Sequence, residues 1–339
     1  MQESLLKLFN LEEKKSYAII GNSKNAGKTT VLNKLLSDIK DINKIAGISS
    51  IGWDGETVDR VYKTEKPPIH LFKGSFAATV KELIPVSSNL FKIIEDTSID
   101  TMLGSIYIIE ALNSMKIELV GPRDLYSTKK LIEKLKKYSH FILLDGALNR
   151  NTSASSMITD GFIFSIVYNG KVTLSDFEKS ILLFREKYKD YTTEIHYKID
   201  RSNLIDKNLV AIGMEDKVYY MNFSNPIHNE EAIFNLQKKP DWIYLPGAIS
   251  DITVERLSSF FIDIDIIIDD FTKNFLSSRI LNFLKIRNCK IYYLFNSNLM
   301  GITVSTWSES KYLKALPQNI LSIVSSIFKD YPVIDLFYT

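Results

Sequence analysis

Short apolar runs recur along the chain, each followed by a polar turn and then a segment whose apolar positions repeat every three to four residues. The first such unit is the clearest. Tyr17-Ala18-Ile19-Ile20 has the length and character of a strand buried on both faces, and Val31, Leu32, Leu35 and Leu36 follow with helical spacing. The same reading predicts strands over 44–50, 67–72, 91–95, 118–122, 140–145 and 162–167. It predicts helices over 3–11, 76–83, 128–138 and 174–188, and one that leaves the polar loop 97–105 and runs to Leu112. The hydroxyls of that loop suit either a helix cap or a substrate contact.

Beyond a charge-rich passage over 190–208 the alternation resumes. Strands are expected over 218–223, 242–245, 265–268, 290–295 and 332–336, with helices over 230–236, 253–261, 275–284 and 319–328. Strand–helix alternation throughout predicts an α/β protein. The chain has 339 residues, more than the roughly 250–300 at which one core stops growing. Two domains are therefore expected: 1–190 with a mostly parallel sheet, and a smaller α/β domain over 191–339 with a second parallel sheet.

Composition changes this picture little. Apolar residues make up 45% and charged residues 24%, with a net charge of +2, which gives no reason to invoke nucleic acid or a membrane surface. Residues 129, 130, 134, 136 and 137 are all lysine, but without interleaved aromatics they read as a solvated helix face. One cysteine, Cys289, excludes an internal disulfide and suits a reducing compartment. The acidic start of the chain is no signal peptide, and no uninterrupted apolar run is long enough to span a bilayer. A cytoplasmic protein is expected.

The candidate chemistry lies between the first strand and the first periodic helix, in Gly21, Asn22, Ser23, Lys24, Asn25, Ala26, Gly27, Lys28, Thr29 and Thr30. Strand, glycine-bearing loop and helix is the setting of a phosphate-binding P-loop, in which backbone N–H groups and the positive helix end converge on phosphate. Lys28 would supply a cation to the outer phosphates and Thr29 a hydroxyl to Mg²⁺. Gly27 would admit the close approach of the backbone. Five residues separate Gly21 from Gly27, one more than in the commonest form of the motif.

Two carboxylates follow strands expected on the same sheet edge. Asp54 lies in an acidic loop after the strand at 44–50, and serves either as a Mg²⁺ ligand or as part of a solvated turn. Asp145 ends the apolar run Phe141-Ile142-Leu143-Leu144, the place of an acid near Mg²⁺ in P-loop proteins. Arg150 suits a phosphate or an ordinary ion pair. The four histidines lack metal-ligand spacing. Pro246-Gly247 after a strand suits either a plain turn or a ligand-facing one. Thr272-Lys273-Asn274-Phe275 lacks the acid of a guanine-reading motif, so ATP is the expected nucleotide.

The loop spacing resembles that of dethiobiotin synthetase and its relatives, the class that also holds the nitrogenase iron protein and the Min and Par ATPases. Ser23 stands where the Min and Par branch carries its signature lysine. At a finer level residues 21–30, 47–56, 101–104 and 145–150 resemble the P-loop subunit of the reactivating factor of adenosylcobalamin-dependent lysine 5,6-aminomutase and ornithine aminomutase, as do 245–248, 302–304 and 331–335 in the second half. Met102 departs from an expected proline, and Ser305-Thr306 from an expected Asn-Pro. That resemblance implies ATP-dependent release of damaged cobalamin from an inactivated aminomutase, together with a MutS-like second subunit. An ATP-dependent ligase or a nucleotide-dependent scaffold remain alternatives. The ligase reading lacks a lysine in Ile48-Ser49-Ser50-Ile51-Gly52, where its relatives carry one. A homo-oligomeric state stays open.

Overall fold

The computed structural model describes residues 3–52, 67–84, 89–146, 154–189, 195–197, 199–200, 204, 209–215, 217–222, 238–260, 263–305 and 320–336. In chain order the elements are α1 (Leu5–Leu8), β1 (Lys15–Gly21), α2 (Lys28–Asp41), β2 (Ala46–Ser50), β3 (Ile69–Leu71), β4 (Phe76–Val80), β5 (Phe91–Thr101), β6 (Gly104–Ala111) and β7 (Met115–Ile117). Then come α3 (Leu125–Lys136), β8 (Phe141–Asp145), β9 (Gly161–Val167), α4 (Leu174–Lys189), β10 (Leu209–Met214), β11 (Lys217–Asn222) and β12 (Trp242–Tyr244). The last are α5 (Asp251–Phe260), β13 (Asp265–Ile268), α6 (Ser278–Ile286), β14 (Ile291–Tyr293), β15 (Leu299–Ser305), α7 (Ile320–Ile327) and β16 (Val333–Asp335).

The chain forms two compact units: Met1–Glu178 with Ser297–Thr339, and Lys179–Asn296. The first is built on a nine-stranded sheet in the order β16-β15-β9-β1-β8-β2-β4-β6-β5. From β16 to β4 every pairing is parallel, and β6 and β5 run antiparallel at one edge. β1, β8 and β9 read as unbroken apolar runs because both faces are covered. On one face Tyr17, Ile19, Leu143 and Ile163 pack against Leu32, Leu35 and Leu36 of α2. On the other, Ile142, Leu144, Ala78 and Val80 pack against Leu131, Ile132 and Leu135 of α3. α1 is tied to α2 through Asp38, which accepts the Leu5 N–H at 2.6 Å and the Ser4 hydroxyl at 3.1 Å.

Several expectations are corrected. Residues 76–80 form β4, not a helix: Phe76-Ala77-Ala78-Thr79-Val80 is buried throughout, and the two alanines fit between β2 and β6 where their helical propensity counts for less than burial. No helix follows residue 105, because 91–111 fold into the β5–β6 hairpin. Register shifts at Ile93/Glu95 and Asp96/Asp100 break its two-residue alternation and hide it in the sequence. The strand expected over 118–122 forms earlier, as β7 over Met115–Ile117, and pairs with β3. β10 and β15 have no expected counterpart.

The domain division also differs. The chain leaves the first unit at Lys179 and returns at Ser297, and the returning β15 and β16 extend the first sheet beside β9 rather than joining a second domain. Beside β9, Ile302, Thr303 and Val304 are completely buried. That unit has a five-stranded sheet in the order β11-β10-β12-β13-β14. It is mixed rather than parallel: β10 pairs antiparallel with β11 and β12, and only β12, β13 and β14 are parallel. Leu204, Ala211, Trp242, Tyr244, Ile267 and Tyr292 form its core. Among the described residues no helix is long and apolar enough to cross a membrane.

Candidate functional site at the carboxyl edge of the central strands

β1 lies between β8 and β9, so the loop that leaves it opens at the carboxyl edge of the parallel strands, where open α/β sheets bind ligands. The loop turns through Asn25 (φ 60°) and Gly27 (φ 85°), and α2 begins at Lys28. Gly27 is the N-cap residue and offers no side-chain cap to α2. A side chain there has no room. Its Cβ would lie 2.6 Å from the Ser305 hydroxyl and 2.9 Å from Leu336 Cδ1. At Gly21 a Cβ would meet Ala26 Cβ at 3.0 Å and Lys28 Cγ at 3.3 Å. The stem of Lys28 therefore lies against Gly21.

The neighbouring strands bring further groups to the same edge. Asp145 of β8 stands opposite Ile19 of β1 and Ser50 of β2, and is only 7% exposed. Side chains alternate along a strand, so Asp145 shares a face with Ile19 and Gly21, the face covered by α2. Thr29, in the first turn of α2, is buried. On the other side Ser165 of β9 stands opposite Gly21, and its hydroxyl lies 2.9 Å from that of Thr303 on β15.

Of the residues expected at a nucleotide and metal site, Gly21, Gly27, Lys28, Thr29 and Asp145 lie at this edge, with Ser23, Lys24, Asn25, Ala26 and Thr30 in or beside the loop. Asn22 is placed there with a different role. Its N–H donates to the Ser165 carbonyl at 3.1 Å. Its side-chain amide donates to the Val167 carbonyl at 2.9 Å and accepts the Val167 N–H at 3.0 Å. These groups are committed to β9 and hold the loop instead of a ligand. Asp54 and Arg150, the passage over 190–208 for the most part, and the helix expected over 230–236 lie outside the described residues. Residues 101–104 form a hairpin turn in which the Thr101 hydroxyl donates to the Gly104 carbonyl at 2.8 Å, so it caps no helix.

Oxygen donors at the edge suit a hard cation. Among the described residues no group of three or more His, Cys, Asp or Glu side chains would hold a metal by protein alone. Thr29 brings a hydroxyl to this edge and Asp145 a carboxylate. That donor set fits Mg²⁺, which keeps several waters and is bound through one or two protein oxygens together with substrate phosphates.

The second unit holds polar residues that no motif signalled. At the carboxyl ends of β12 and β13 the buried Tyr244 hydroxyl donates to Asp269 at 2.6 Å. Asp270, fully buried, accepts the Thr272 N–H at 2.9 Å. Burial pushes the Asp269 carboxyl above the usual range and Asp270 adds to this, against the hydrogen bond from Tyr244. Comparison with protein-family models, with curated proteins and with solved structures finds no match to this chain.

Proposed function

We propose that the carboxyl edge around β1 binds ATP with Mg²⁺ and that the protein is a P-loop nucleotide triphosphatase of the dethiobiotin-synthetase-like kind. One observation carries the reading: a buried central strand enters a loop that closes on a left-handed glycine just before a helix, with Lys28 against Gly21 and Asp145 on the adjoining strand. The backbone N–H groups at the start of α2 and the Lys28 ammonium bind and orient the phosphates. Thr29 and Asp145 would hold Mg²⁺, which when bound supplies charge neutralisation to the phosphate oxygens. Ser305 and Leu336 lie against Gly27, and Ala26 against Gly21, on the sheet side of the loop. The ligase alternative gains no support, since Ser49 donates to the Ala78 carbonyl and Ser50 to the Asp145 carbonyl, and neither offers an amine.

The resemblance to the reactivating factor supplies the task. In this proposal ATP binding and hydrolysis drive release of damaged cobalamin from an inactivated aminomutase, with a MutS-like second subunit. Calorimetric titration of the whole chain with Mg-ATP tests the nucleotide site. Lys28→Ala is expected to weaken binding about tenfold to a hundredfold, the worth of a charge-assisted hydrogen bond. Equal affinity in that variant and the parent defeats the assignment.

A further inference from the structure

We infer that Ser305, on the strand by which the chain returns to the first unit, is a positioning residue for the phosphate loop; the inference rests on the nucleotide reading above. The Ser305 hydroxyl donates to the Ala26 carbonyl at 3.2 Å in a buried contact, and Ser305 itself is 3% exposed. A trans peptide places its C=O and N–H on opposite sides. Fastening the Ala26 carbonyl to β15 therefore turns the Gly27 N–H, part of the same peptide unit, away from β15 and toward the open side of the loop. The same hydroxyl occupies the space that a Cβ on Gly27 would take, 2.6 Å from that position. Ser305 thus selects both the residue type and the peptide orientation at the helix start.

The other end of the loop is held in a matching way. Asn22 fastens the chain leaving β1 to Val167 at the end of β9 through two side-chain hydrogen bonds. Beneath the loop the buried pair Ser165 and Thr303 joins β9 to β15 at 2.9 Å. The grip on the loop accordingly comes from β9 and β15, the two strands that flank the excursion of the chain into the second unit. A loop with both ends fixed presents its N–H groups without having to order them when phosphate arrives, which is how preorganisation raises affinity.

The test titrates the full-length parent, Ser305→Ala, Ser305→Cys and Lys28→Ala with Mg-ATP by calorimetry, and measures thermal midpoints without nucleotide. Ser305→Ala is expected to weaken ATP binding about threefold to tenfold, the effect of one neutral hydrogen bond. Ser305→Cys, with a weaker donor, is expected to fall between it and the parent. A hydroxyl with only a structural role would lower the midpoint and leave the affinity of the folded protein unchanged, and that result overturns the inference. Should the alanine variant not fold, the cysteine variant carries the test with the same two outcomes. Parent affinity in Lys28→Ala defeats the nucleotide reading itself; a weakened Lys28→Ala beside an unchanged Ser305→Ala defeats only the role given to Ser305.

Discussion

Ile19 and Asp145 stand opposite one another across the parallel strands β1 and β8, which puts the Asp145 carboxylate on the face of the sheet that α2 covers. That register links the carboxylate to the loop two residues beyond Ile19. A group at the metal acts most strongly where charge develops, so its removal should be felt in the transition state more than in binding. Asp145→Asn keeps the shape and removes the charge. It is expected to lower the rate of ATP hydrolysis by about tenfold to a hundredfold while changing ATP affinity by less than about threefold. Steady-state kinetics beside calorimetry separate the two, and parent-like turnover would remove Asp145 from the site.

Gly27 and Gly247 both adopt left-handed backbone, at φ 85° and 87°, in different surroundings. A Cβ on Gly27 meets Ser305 and Leu336 within 3 Å, whereas one on Gly247 meets nothing within 4 Å. Gly247→Ala should cost about 1–2 kcal/mol, the strain of an L-residue in that conformation. Gly27→Ala adds the collision and should cost more, about 2–4 kcal/mol, and abolish nucleotide binding. Denaturant unfolding of the two variants gives the comparison. Equal destabilisation would mean that the loop can yield around a side chain at position 27.

The loop and the strands beside it were legible in the sequence because their signals are local. β1, β8 and β9 are continuous apolar runs, and α2 has a clean helical stripe. What escaped depends on pairing over long separations. Phe76-Ala77-Ala78-Thr79-Val80 is ambiguous until β2 and β6 are seen on either side. β15 carries Gly301 within it, and only the ring of Phe9 explains that glycine: a Cβ there would lie 2.2 Å from it. Ser305 reaches Ala26 across 279 positions, and Asn22 reaches Val167 across 145. Nothing in the neighbourhood of Asn22 along the chain distinguishes an amide that meets phosphate from one that holds a strand.

The second unit should show a pH dependence that originates in Asp269. Its carboxyl titrates above the ordinary range because burial disfavours the charged form, as does Asp270 beside it. In the unfolded chain an aspartate titrates near about pH 3.9. The folded state therefore holds a proton that the unfolded state has lost, and the stability this contributes is complete below that pH and lost as pH rises through the folded value. The slope reaches about 1.4 kcal/mol per pH unit while a full proton separates the states. Asp269→Asn keeps an acceptor for Tyr244 without the titration. The stability of the parent relative to this variant is expected to fall as pH rises from about 4, as read by denaturant midpoints across that range. A constant difference would place the titration of Asp269 outside it.

The task proposed for the protein makes the most demanding prediction. A reactivating factor shifts a population: ATP favours a state that opens the cobalamin site of the partner, and only differential affinity for two states accomplishes this. The chain has two compact units, joined by α4 on the way out and by the segment before β15 on the way back, and the loop is held by the strands next to both connections. Alone, the protein should hydrolyse ATP slowly. Inactivated aminomutase together with the MutS-like subunit should accelerate it. The assay incubates inactivated aminomutase with this protein, that subunit, ATP, Mg²⁺ and fresh adenosylcobalamin. Activity should return with ATP, and fail to return without it or with Lys28→Ala. Equal recovery in the absence of ATP would mean that simple exchange of the cofactor suffices, and would defeat the proposed task while leaving the nucleotide site to be judged by its own titration.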